Sequence, residues 1–375
     1  MKKLALLFSF LTLVISGVFS GIVLAPQAHA ANEVIRITSP LNQSFTGEFR
    51  DGSMAQLLLP SGELGQLVFR SMSKERTWVI DPALIDAITA MTSDYKVLSD
   101  EEPTAGDVAL SWLDRLKAVT ARNEVISLPY GNPDIELAKI LAPSELALYL
   151  SFGKTRLESL LGRTVTADNS HSWSEGKSRL SFTERKTYGE NRRALTRLSR
   201  VVAADELSNL RARLAQLLSP NLDRESREFF TLNATQAVNE VVDKLRINSG
   251  NYQVTTSSVK LPVTVINDFD TEVVVDVSMI PINSRMVVES FKDVVIAPAS
   301  KIQLEMGVEV IAPGETVVSA YITDKEGVEV VPEALLTLNS SVIDVRVAWF
   351  TTGAAILLLL AGVAQSVRRV RKKSK

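Results

Sequence analysis

Val347 to Val367 contains no charged residue, and the tail that follows, 368–375, carries six cations and no acid. At about 1.5 Å per residue an apolar helix of that length reaches about 31 Å, enough to cross the hydrocarbon layer of a bilayer. Trp349 and Phe350 stand where an interfacial aromatic belt would lie. Arg368, Arg369, Arg371, Lys372, Lys373 and Lys375 then predict a cytoplasmic tail under the positive-inside rule. Such an ending confines whatever precedes it to domains that fold on one side of a membrane, so the lipid bilayer is the first expected partner, through 347–367.

The other end agrees. Lys2 and Lys3 precede an apolar stretch from Leu4 to Leu24, and Ala28-His29-Ala30 offers a small-x-small cleavage pattern, so 1–30 reads as a signal peptide, with an uncleaved anchor as the alternative. The expectation is a single-pass cell-membrane protein with its N-terminus outside. Removing Lys2, Lys3 and the six tail cations leaves 33 basic residues against 43 acids, a net charge of −10. That charge and that location argue against a nucleic-acid partner. Cysteine is absent, which excludes disulfides, zinc–thiolate sites and thiol nucleophiles.

Between the two ends the hydrophobic period changes twice. Over 31–165, strand-like and helix-like runs alternate. Thr77 to Ile80 is apolar and stops at Asp81-Pro82, a helical stretch runs through Met91, and Val108, Trp112, Leu116 and Val119 follow at helical spacing. Thr104 stands where it would cap that second helix. Glu124 to Leu128 is the next strand, and helix formers resume through Leu141. This order predicts a parallel sheet with covering helices, an α/β domain. Residues 166–250 predict a polar, exposed loop to 189 and then a helical connector over 190–218 and 224–247. From Lys177 to Arg200 this segment holds eight bases and two acids, read as the solvated side of helices or as a face for anionic lipid or wall polymer. From Tyr252 the period becomes two, with strand-like runs around 261–265, 273–279, 286–296, 300–311, 315–323 and 328–339. Over 251–340 this predicts an all-β, immunoglobulin- or fibronectin-like sandwich.

Two carboxylates follow the parallel strands, where α/β sheets bind ligands. Asp81, and Asp134 with Tyr130 near it, would suit acid–base work on a glycan. Each also fits a helix N-cap, because Asp81 precedes Pro82 and Asp134 closes Asn132-Pro133-Asp134. His171 is the one histidine left after signal cleavage, and no Gly-x-Ser-x-Gly elbow, P-loop or Gly-x-Gly-x-x-Gly is present. No cofactor and no metal are expected, and the balance leans away from an enzyme.

Trp78-Val-Ile-Asp-Pro-Ala-Leu-Ile-Asp86, Leu128-Pro-Tyr-Gly-Asn-Pro-Asp134 and Leu261-Pro-Val-Thr-Val-Ile-Asn-Asp268, with the terminal span and its basic tail, resemble actinobacterial envelope proteins grouped as domain of unknown function 6049 (DUF6049). The resemblance implies a signal peptide, a region akin to carbohydrate-active barrels, a β-sandwich and one transmembrane helix. It also implies cell-wall work, since such genes often lie near a lipid II flippase gene. The present chain is a shortened member: roughly 135 residues make only a partial barrel. Polysaccharide deacetylases, related by fold, need Asp and His metal ligands that this sequence lacks. The expected function is therefore an envelope protein binding wall glycan or a membrane protein of wall synthesis, with a hydrolase using Asp81 and Asp134 as the alternative.

Overall fold

A computed structural model describes residues 33–70, 75–99, 105–341 and 352–365. Its first sheet has four parallel strands in sequential order: β1 (Glu33–Ile37), β2 (Arg76–Ile80), β3 (Glu124–Ser127) and β4 (Thr166–Ala167). Sequential parallel order is the winding of a barrel rather than of a doubly wound sheet. Among the described residues it has four strands. Side chains alternate across it. Ile37, Trp78, Ile80 and Val125 pack outward against α1 (Ser53–Leu58), α2 (Glu63–Phe69), α3 (Pro82–Ala90) and α4 (Gly106–Thr120). Val79 and Ile126 face the other way and, with Leu128, meet Trp173.

The segment expected to be an exposed polar loop therefore has a structural task. Residues 168–180 cover the inner face of the open sheet, which a full barrel would bury within itself. Trp173 supplies the apolar cover, while the Arg36 guanidinium donates to its carbonyl and pairs with Glu175 at 3.3 Å. Thr104 lies outside the described residues, and α4 starts from Ala105 without a side-chain cap.

After α5 (Ile135–Leu141) and α6 (Leu146–Leu161) the chain forms β4, then α7 (Phe182–Leu198), α8 (Asp205–Arg213) and α9 (Arg224–Val242). Two expectations are corrected here. Helix α7 begins at Phe182 rather than 190, because Ser181 and Glu184 close a capping box. Helix α9 ends at Val242, and the next residues pass into β5 (Leu245–Ile247), the first strand of the sandwich.

Two further sheets follow. One has the order β5, β7 (Ser258–Asn267), β11 (Ser300–Val310), β9 (Met286–Val288). The other has the order β10 (Phe291–Ile296), β8 (Val273–Pro281), β12 (Gly314–Thr323), β13 (Ala334–Ser340), β6 (Gly250–Val254). The run expected over 286–296 is thus two strands in different sheets, and 328–333 stays outside the strand that ends it. Inward residues of both sheets, such as Val263, Val275 and Val318, share one apolar cluster that continues into Leu195, Leu207, Phe230 and Val238 of the helices. Ionic contacts reinforce the join, with Arg200 reaching Asp324 at 2.5 Å and Glu326 at 3.2 Å.

A helix covers 352–365, and Ile356, Leu357, Leu358, Leu359, Leu360 and Val363 on it are all exposed. Among the described residues no helix is long and apolar enough to cross a membrane. The rest of 347–367, the signal stretch 1–30 and the tail 368–375 lie outside the described residues.

Candidate functional site

Asp81 continues β2, its N–H donating to the Ile37 carbonyl at 2.9 Å. Pro82 then starts α3, whose first free N–H groups need an acceptor. The Asp81 Oδ1 accepts from the Ala83 N–H at 3.0 Å and from the Gly131 N–H at 2.9 Å, so one oxygen caps α3 and ties it to the loop after β3. Gly131 holds φ +79°, and a Cβ there would lie 2.6 Å from Gln216 Cγ. Burial pushes the Asp81 carboxyl up to about 7, against the two N–H bonds that favour its charge.

Asp134 caps α5 in the same way. Its Oδ1 accepts from the N–H groups of Glu136 at 3.1 Å and Leu137 at 3.2 Å, and its Oδ2 accepts from the Ser178 N–H at 2.8 Å. Both carboxylates singled out in the sequence are thus engaged by backbone donors at helix starts. The structure brings Asp81 to the Tyr130–Gly131 turn but binds Asp134 to the loop that covers the sheet. Tyr130 is buried and serves a different carboxylate, its hydroxyl donating to Asp86 Oδ2 at 3.0 Å while its ring meets Phe152 edge-on at 5.1 Å.

Asp86 is the residue that sequence reasoning missed, although it ends the first quoted segment. It lies on α3, five residues past Asp81, and pairs with Arg156 at 3.2 Å. Burial raises its carboxyl, opposed by Arg156 and by the Tyr130 hydroxyl. Arg213 stands close by, pulled below its ordinary value by burial, and donates to the carbonyls of Phe45 at 3.1 Å and Ser44 at 2.6 Å. No sequence signal links Arg156 or Arg213 to Asp86, since each arrives from a different helix.

Phe152, Arg156 and Arg213 open onto a cleft of about 680 Å³ between α6, α8, α9 and the Phe45–Thr46 turn. Glu206 and Glu240 also line it. Half-buried Phe152, with the Arg156 guanidinium 5.4 Å from its ring centroid, and charges of both signs line it. His171 lies in a turn at φ +56°, and among the described residues no cluster of three or more His, Cys, Asp or Glu could hold a metal.

Among the described residues, a four-stranded parallel sheet, a helical layer and a two-sheet sandwich define a protein of mixed α/β and β-sandwich architecture. The chain belongs to the family of unknown function DUF6049, whose model matches residues 150–374, from α6 through the sandwich to the basic tail. No curated protein matches the sequence. Among solved structures, WR4, an MSP family member of C. elegans, is 9% identical, with 26% of this chain and 98% of that chain covered at a TM-score of 0.21. PapD-like domain 7 of human CEP192 is 9% identical, covering 27% and 87% at 0.21. E. coli alpha-2-macroglobulin in its native conformation is 16% identical at 0.21, with 26% of this chain covered and only 6% of that one.

Proposed function

We propose that this is a single-pass envelope protein whose head binds cell-wall glycan, outside the membrane, without cleaving it. The observation that carries the reading is an open cleft of about 680 Å³ that neither Asp81 nor Asp134 lines, both carboxylates being engaged elsewhere as helix caps. The half-buried Phe152 offers the apolar contact for a sugar ring, and Arg156, Glu206 and Glu240 offer hydrogen-bonding groups. Membrane attachment is supported by the charge-free run Val347 to Val367, by the cations after it, and by the helix over 352–365, which is apolar on every side and exposed. A bound membrane protein of wall synthesis is the other occupant of the head that the resemblance favours.

The test uses the full chain in detergent micelles and isolated wall sacculi, with co-sedimentation and mass spectrometry of the supernatant. Sedimentation without released fragments, weakened by the cleft-filling substitution Thr155→Trp, supports the reading. One feature favours the hydrolase alternative: burial pushes the Asp81 carboxyl up to about 7, the direction a general acid needs. Released fragments that disappear in Asp81→Asn or Asp134→Asn would establish that alternative and refute non-catalytic binding. Absence of both binding and release would point to a protein partner.

A further inference from the structure

The two ends of the sandwich differ in chemistry. Strand β13 finishes at Ser340, and the Ser341 N–H donates to the Val254 carbonyl at 3.0 Å. The chain therefore leaves the sandwich beside the turns 255–258, 282–285 and 311–314, since Gly314 of β12 pairs with Ser340. These three turns hold no carboxylate and Arg285 is their one charge, with the exposed Glu309 and Glu315 standing within two residues behind them. Ile282 and Ile311 project from them at 66% and 64% exposure. The opposite end, turns 268–272, 297–299 and 324–333, carries Asp268, Asp270, Glu272, Asp324, Glu326, Glu329 and Glu333 against Lys325 alone.

The two isoleucine turns are fixed to each other. The N–H groups of Ile311 and Ala312 donate to the Arg285 carbonyl at 2.8 and 3.1 Å, and the Arg285 guanidinium donates back to the Pro313 carbonyl at 2.6 Å. Asn283 adds contacts to Thr316 at 2.9 Å and to the Glu315 carbonyl at 3.3 Å. Two exposed isoleucines on a braced tip gain nothing in water, and a membrane interface is where such side chains bury. From Ser341 to Val347 the chain can extend roughly 20 Å, so this end cannot stand far from the apolar run.

We infer that the tip carrying Ile282, Arg285 and Ile311 seats the sandwich on the phospholipid surface of the bilayer that the 347–367 run enters. The inference rests on the membrane-anchored reading above. Its consequence is orientation. With the tip down, the 11 residues of β11 hold the acidic end, and the cleft-bearing head beyond it, about 35 Å from the lipid.

The native chain has no cysteine, so single labels report cleanly. Full-length protein carrying Ile282→Cys, Ile311→Cys, Val295→Cys or Leu357→Cys would be spin-labelled and reconstituted in phosphatidylcholine–phosphatidylglycerol vesicles. Collision with oxygen, which partitions into lipid, is compared with collision with a water-soluble nickel chelate. Labels at 282 and 311 are expected to lose nickel access and gain oxygen access, as the label at 357 does. The label at 295, equally apolar but on a side strand at 51% exposure, keeps its nickel access. Water-accessible labels at 282 and 311 beside a lipid-buried 357 would overturn the seating and leave the anchor standing. A water-accessible 357 would overturn both.

Discussion

Asp81 offers the sharpest quantitative test, because two opposed effects meet on one carboxyl. Its Oδ1 already accepts both backbone donors, Ala83 and Gly131, so the substitution Asp81→Asn keeps both bonds and removes only the ionisable oxygen. Burial raises the folded carboxyl from its ordinary 3.8 to about 7. A raised acid holds its proton in the folded state, so its stability contribution is complete below 3.8 and is lost as pH rises through about 7. At about 1.36 kcal/mol per pH unit the loss is on the order of 4 kcal/mol. The variant should therefore match the native chain near pH 4 and exceed it by that amount at pH 8. With a urea dependence of ~2 kcal/mol per molar, the midpoint moves up by about 2 M. The assay is urea unfolding of the full chain in nonionic micelles, read by tryptophan fluorescence, since Trp78 and Trp112 are buried in the α/β core. A gap that does not change with pH, or a native chain more stable at pH 8, would refute the reasoning. The backbone donors and the helix dipole would then have outweighed burial.

Glu145 is fully buried and held by Arg211 through bonds of 3.1, 3.0 and 2.8 Å, with Thr196 at 3.2 Å. Arg211→Met should cost about 3–5 kcal/mol in chemical unfolding, and adding Glu145→Gln should recover part of it, because the penalty is an unpaired buried charge. Gly131→Ala should cost more than about 1 kcal/mol, read by thermal melting, since its φ of +79° is strained for a side chain and its Cβ would meet Gln216. Ser181→Ala should remove about 1 kcal/mol from the start of α7, seen as faster amide exchange at the first turn.

What the sequence made legible follows what burial imposes on it. Arg76–Ile80 is buried at every position, so its apolar run reads directly as a central strand. The sandwich is legible for the opposite reason: β8 alternates buried and half-buried positions from Val273 to Met279, and the period of two survives. Short elements leave no period to read. β4 has two residues, and β5 has three, with Arg246 exposed between Leu245 and Ile247, which is too few to interrupt a helical pattern. The start of α7 was written in Ser181 and Glu184, but Phe182 behind the cap is exposed, so no apolar stripe drew attention to it. Trp173 likewise buries one sheet face from within a run of Ser, Asn and Asp, where average polarity says only that the loop is wet.

The site shows where adjacency along the chain fails as a guide. Asp81-Pro82 and Asn132-Pro133-Asp134 announce helix caps locally, because a cap is a contact within three residues, and the structure has both. Tyr130 stands four residues before Asp134, yet between them Gly131 and Asn132 both take positive φ, at +79° and +43°. Two left-handed residues in succession reverse the chain, so the Tyr130 side chain and the Asp134 carboxyl leave on different paths. The hydroxyl instead meets Asp86, 44 residues away, and the freed turn N–H at Gly131 meets Asp81, 50 residues away. A glycine and an asparagine are the sequence's record of that reversal. Which carboxylates it would reach depends on how α3 packs against the loop after β3, a relation that no spacing in the chain encodes.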